Sequence, residues 1–142
     1  MAAESKATTV WEGDLAHGRG TTKAASGALP EVEVTWAART ERAPGTTSPE
    51  ELLAAAHASC FCMALSHELG ETGNAPKRLE ATATVTFVPG EGVKSSKITV
   101  NGQVPGLNQA GFEEAAQGAG ENCPISQALK GIEIEVEATL EG

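Results

Sequence analysis

The chain has 142 residues, 40% hydrophobic and 20% charged, with 16 Gly and 7 Pro. That is the length of about one ordinary domain and a composition outside the disordered and collagen-like classes, so a single domain spanning 1–142 is expected. Ten Lys and Arg against 19 Asp and Glu leave a net charge of −9, a field that repels phosphate backbones and anionic lipid and argues against nucleic-acid or membrane partners.

The amino-terminal segment MAAESKATTVWEGD holds no apolar core of the kind a secretory signal needs, which favours a cytoplasmic location. Thr8 to Leu15 and Thr21 to Ala25 are strand-like, with Gly18, Arg19 and Gly20 as the turn of a hairpin. Val32, Val34, Trp36 and Ala38 alternate with Glu33, Thr35 and Ala37, the period of a strand with one buried face. A loop from Arg39 to Thr47 carries Pro44 and Gly45.

Ser48, Pro49 and Glu51 stand where a helix wants its N-cap, its first residue and the glutamate of a capping box. The helix is predicted to run to Leu69, with Gly70 as a left-handed stop. Between Leu52 and Leu65 nearly every direction around it is apolar, so it should be enclosed by protein, part of it by a second copy of the chain. His57 and Ser59 interrupt this stretch, which falls short of the roughly 18 apolar residues a membrane span needs.

Ala81 to Phe87 and Ile98 to Val104 predict a second hairpin about Gly90 and Gly92. Phe112, Ala115, Ala116 and Ala119 recur at helical spacing. Asn122-Cys123-Pro124 breaks that helix, and Ile125 to Lys130 can form another turn or two with Pro124 at its first position. Ile132 to Leu140, alternating with Glu133, Glu135 and Glu137, closes the chain as a strand with a wet glutamate face. The order of elements predicts an α+β fold with antiparallel sheet.

Three cysteines, an odd number, do not form a disulfide framework and suggest either chemistry or simple burial. Free cysteine is among the most buried residue types, a reading that suits Cys62. Cys60 and Cys62 lie two positions apart on a helix, about 200° around it, and so cannot share one metal ion. His57, three residues before Cys60, is either a Cys–His partner or a core histidine satisfied by a carbonyl. His17 and His67 read as surface residues, and no cluster at metal-ligand spacing is present. Cys123, opening a helical turn, feels unpaired N–H groups that favour its thiolate. Spacing alone does not say whether the two cysteines meet.

The segment Ser48-Pro49-Glu50-Glu51-Leu52-Leu53-Ala54-Ala55-Ala56-His57-Ala58-Ser59-Cys60-Phe61-Cys62-Met63-Ala64-Leu65, with Cys123-Pro124-Ile125-Ser126-Gln127-Ala128-Leu129 and Trp11-Glu12-Gly13-Asp14, resembles the OsmC/Ohr family of thiol peroxidases, its OsmC branch in particular. The resemblance covers nearly the whole chain. It implies an intertwined α+β homodimer around a long buried central helix, with both cysteines near the interface.

It also implies that Cys60 thiolate attacks an organic hydroperoxide, or hydrogen peroxide, and becomes a sulfenic acid. Cys123 then closes a disulfide, which an external dithiol such as a lipoyl group reduces. No metal or other cofactor is called for. Glu50 matches a glutamate that orients an arginine, and the arginine steadies the thiolate; the expected residue is Arg39, with Arg19 and Arg42 as alternatives. Cys62 stands where relatives carry a small residue and is read as a passenger. The competing reading is a thiol redox sensor or binding module without fast turnover.

Overall fold

The computed structural model describes residues 2–141 and divides them into two compact units, one up to Leu52 and one from Leu53 onward. The first holds a three-stranded antiparallel sheet of β1 (Ala7–Glu12), β2 (Arg19–Ala24) and β3 (Val32–Val34) in that order. The turn of the first hairpin precedes the predicted one. Gly18 N–H donates to the Asp14 carbonyl at 2.8 Å and His17 N–H to Asp14 Oδ1 at 2.7 Å, which leaves Arg19 and Gly20 inside β2.

The strand predicted over Val32 to Ala38 stops at Val34. Trp36–Thr40 form a short helix, α1, because Thr35 in extended conformation caps it, its hydroxyl accepting from Ala38 N–H at 3.0 Å. Four alternating residues are too few to exclude a helical turn, and the local cap decides the outcome. Arg39 therefore stands in the last turn of a helix and not at the end of a strand.

The long helix, α2 (Pro49–Glu71), starts where predicted, with Ser48 Oγ accepting from Glu51 N–H at 3.1 Å. The reciprocal half of the capping box is absent, since Glu51 instead accepts from the Thr47 hydroxyl at 2.5 Å. Gly70 stays helical, and the left-handed residue that ends the helix is Gly73, at φ +82°. Behind it Asn74 N–H returns to the Leu69 carbonyl at 2.9 Å.

α2 is long and apolar enough, at a mean hydropathy of 1.2, to cross a membrane by length and composition. From His57 onward its buried positions nevertheless fall on one stripe, His57, Phe61, Leu65 and Leu69, four residues apart. The other directions are half-buried or open, with Met63 72% exposed, so the all-round burial read from composition is not present within one chain.

In the second unit that stripe packs on a sheet of β4 (Arg78–Val88), β5 (Gly92–Gln103) and β6 (Glu133–Leu140). β5 turns Ser96, Ile98, Val100 and Gly102 inward, the period-two face of a strand. Gly102 leaves the space in which the Phe112 ring sits; a Cβ there would overlap it. β4 and β5 form the predicted antiparallel hairpin, but β6 pairs with β5 in parallel, which corrects the expectation of an antiparallel sheet throughout.

The cause is the connection. Helices α3 (Gln109–Asn122) and α4 (Pro124–Ala128) carry the chain back along the sheet, and a return crossover of this kind delivers a parallel neighbour. α3 is tied to β6 by Gln109, whose amide donates to the Ala138 carbonyl at 2.9 Å and accepts from Leu140 N–H at 2.8 Å. The glutamates of β6 are exposed, as predicted.

Candidate active site

Cys60 lies on the half-buried flank of α2, one residue before the buried Phe61. Cys123 is fully buried in the single residue that separates α3 from α4. There Pro124 forbids the helix to continue unbroken, and extended φ/ψ angles of −57° and 132° turn the chain. This corner brings the two sulfurs to 3.1 Å, across 63 residues of sequence. Both are free thiols, and a bonded pair would stand only about 1 Å closer.

Two sulfurs this close cannot both ionise easily, and their surroundings differ. For Cys123 burial works against the thiolate. The hydrogen bond shared with Cys60 and the influence of Ser126 and of Ile125 N–H outweigh it, and the net shift is downward. These donors are the open first turn of α4, as expected for a thiol at that position. For Cys60 burial comes first, followed by the hydrogen bond to Cys123; together they push its thiol up, Ile125 N–H acts against them, and the charge on Cys123 adds a smaller rise. The two thiols therefore titrate as a coupled pair, with Cys123 shifted down and Cys60 up.

In the first unit, Glu50 is 7% exposed and faces Arg39. Arg39 Nε donates to both carboxylate oxygens at 3.0 and 3.1 Å, and Nη2 donates to Oε2 at 2.9 Å. The guanidinium also lies 5.9 Å from the centre of the Trp36 ring. α1, which sequence periodicity did not reveal, sets both of these groups on one short helix. Of the alternatives, Arg19 is exposed beside Glu33 at 3.6 Å, and Arg42 occupies a left-handed loop position at φ 53°. Glu50 thus pairs with Arg39.

A model of OsmC-like proteins matches residues 41–137. The chain is a member of the OsmC family. It is 40% identical to peroxiredoxin OsmC of Escherichia coli (strain K12) over 133 residues, 92% of each chain. It is 31% identical to organic hydroperoxide resistance protein OhrA of Bacillus subtilis (strain 168) over 105 residues, 72% of each.

Among solved structures, the fold is similar to an OsmC-like protein from Mycoplasma pneumoniae, with TM-score 0.74, 16% identity and full coverage of both chains. It is also similar to OhrB of Bacillus subtilis, with TM-score 0.65 and 27% identity over 96% of this chain and 98% of that one.

The remaining candidates of this OsmC chain fall outside the dithiol. Cys62 faces β4, where a backbone hydrogen bond with Ala81 only partly offsets the rise that burial causes in its pKa. It lines an open cavity of about 550 Å³ with Met63, His67 and Arg78. His17 and His67 are exposed, near Asp14 and Glu71. No group of three or more potential metal ligands is found among the described residues.

His57 is not the partner of Cys60, nor does a carbonyl satisfy it. Its Nδ1 lies 2.7 Å from Ser96 Oγ and its Nε2 2.8 Å from Ser126 Oγ. Neither serine was identified from the sequence. The available signal was that His57 interrupts the apolar stripe of α2 while Ser96 interrupts the inward row of β5; two buried polar interruptions call for each other.

Proposed function

We propose that the protein is a cysteine peroxidase that reduces organic hydroperoxides, and hydrogen peroxide, to alcohols or water. The observation that carries this reading is the 3.1 Å contact between the Cys60 and Cys123 sulfurs, in a family whose relatives are named peroxiredoxin and organic hydroperoxide resistance protein.

With the proton between the sulfurs on Cys123, the donor of the pair, the Cys60 thiolate attacks the distal oxygen of the peroxide. The O–O bond breaks, the alkoxide leaves and is protonated to the alcohol, and Cys60 becomes a sulfenic acid. Cys123 then forms the S–S bond as the S–O bond breaks, and water departs. An external dithiol, a lipoyl group among the candidates, returns the pair to thiols by exchange and is itself oxidised.

Arg39, held in orientation by Glu50, serves in this reading as the cation that favours the Cys60 thiolate and the charge developing on the leaving oxygen. The working unit is a homodimer. Val10, Trp11 and Leu15 and, on α2, Met63 are large apolar side chains left exposed in one chain, surface that a second copy would cover. Three free thiols suit a reducing, cytoplasmic compartment.

Consumption of cumene hydroperoxide, followed in parallel with dithiothreitol, dihydrolipoamide and thioredoxin, tests the proposal. Many turnovers with a dithiol, abolished by Cys60→Ser, are expected. A single stoichiometric oxidation would overturn the enzyme in favour of a redox sensor, and turnover by Cys60→Ser would overturn the assignment of the attacking sulfur.

A further inference from the structure

His57 has no exposed surface, yet both of its ring nitrogens meet serine hydroxyls, Ser96 from β5 and Ser126 from α4, and both serines are themselves buried. A neutral imidazole has one N–H and one bare nitrogen, so one serine accepts from the ring and the other donates to it. The three side chains thus join three elements, α2, β5 and α4, through the interior.

Their placement beside the dithiol is regular. His57 stands three residues before Cys60 on α2, and Ser126 three residues after Cys123, the residue that opens α4. The bond of 2.8 Å between Ser126 and His57 and the sulfur contact of 3.1 Å therefore join the same two elements, about one helical turn apart. α4 has five residues, too few to hold a position by its own backbone bonds. Its Gln127 amide donates to the Glu121 carbonyl and ties it to α3; Ser126 ties it to α2.

We propose that His57 and Ser126 are positioning residues that pin α4 to α2 and so keep the Cys123 sulfur within bonding reach of Cys60 before any bond joins them. Ser96, on a strand that carries neither cysteine, steadies the ring. A disulfide ties the same two elements covalently, so the pin counts while the sulfurs are separate and is redundant once they are bonded. Without it the unbonded corner opens part of the time, and only the closed fraction can form the S–S bond.

The consequence for catalysis rests on the function proposed above. A Cys123 sulfur held in place meets the Cys60 sulfenic acid as soon as it forms: the Cys123 lone pair makes the S–S bond, the S–O bond breaks, and the Cys123 proton leaves with the hydroxide as water.

The test reads the thiol–disulfide equilibrium, not turnover. In mixtures of reduced and oxidised dithiothreitol the two thiols pass two electrons and two protons to the reagent's disulfide, and alkylation reports the bonded fraction. Ser126→Ala should lower the equilibrium constant for the Cys60–Cys123 disulfide about tenfold, the scale of one buried hydrogen bond, which raises the reduction potential by about 30 mV. Urea unfolding should show that variant destabilised more as dithiol than as disulfide, whereas a merely structural loss weakens both forms alike and leaves the potential in place. Ser96→Ala removes a buried serine bonded to the same ring and should keep the equilibrium constant within about twofold. In unmutated protein, the Gln127 and Leu129 amides, whose N–H groups close α4 on the carbonyls of Cys123 and Ile125, should exchange hydrogen at rates within about threefold of each other before and after oxidation.

An unchanged potential in Ser126→Ala, an equal shift in Ser96→Ala, or α4 amides that become protected only on oxidation would each overturn the proposal. The exchange measurement needs no variant to fold. Failure of peroxide turnover with these results intact would remove the enzyme reading and leave this inference standing.

Discussion

Glu50→Gln removes a charge and keeps the shape. The wild-type carboxylate receives three N–H contacts from Arg39 within 3.1 Å and is almost closed to water. A glutamine amide can accept one of them through its oxygen, but its NH2 group then faces guanidinium donors, so about two charge-assisted hydrogen bonds are lost. Each is worth about 1.5–3 kcal/mol net, and removing one member of a buried ion pair costs about 3–5 kcal/mol.

The Arg39 side chain is 30% exposed, so water recovers part of that loss, and about 2 kcal/mol of destabilisation is expected. Urea unfolding at one fixed protein concentration measures it. The Arg19–Glu33 pair, at 3.6 Å with Arg19 70% exposed, is the internal control, and Glu33→Gln should change stability by less than about 0.5 kcal/mol. If Glu50→Gln is as mild as Glu33→Gln, the Arg39–Glu50 pair stabilises the fold no more than an exposed ion pair does.

Gly102→Ala should destabilise by about 1–3 kcal/mol in the same assay, since the added Cβ collides with the Phe112 ring deep in the core; a neutral effect would show that the ring has room to move. Burial of neutral His57 makes the folded state bind a proton less readily than the unfolded chain. Stability should therefore fall as pH drops below about 6.5, by at most about 1.4 kcal/mol per pH unit until the depressed folded pKa is reached. His57→Gln should flatten that part of the profile, and an unaltered slope would assign the effect to other groups. Cys62→Ala should leave peroxide turnover with dithiothreitol unchanged, because Cys62 faces β4; a loss of recycling in that variant would make it a second resolving thiol.

What the sequence disclosed depended on how local the determining contact is. The start of α2 was legible because Ser48, Pro49 and Glu51 act within one turn, and the donor-rich setting of Cys123 because Pro124 obliges a new helix to begin there. The second hairpin and the last strand followed from period-two alternation. α1 was missed because the Thr35 cap outweighed a short alternating pattern, and the end of α2 because Gly70 and Gly73 are equally suited by composition while only the second sits at positive φ.

The parallel direction of β6 depends on where the α3–α4 crossover lands, which no residue within β6 encodes. At the site, the cysteines and the Glu50 carboxylate carried their own signals. The serine partners of His57 lie 39 and 69 residues away and become visible only when β5 and α4 are packed against α2.

The most direct trial uses the reduced protein, one equivalent of an organic hydroperoxide and intact-mass plus peptide-level mass spectrometry. The outcome predicted is a loss of about two mass units per chain, the two thiol hydrogens given up in disulfide formation, with the peptides bearing residues 60 and 123 joined in the digest. A stable sulfenic or sulfinic adduct on Cys60 with Cys123 still alkylatable, or a bond that joins Cys62 instead, would contradict the account.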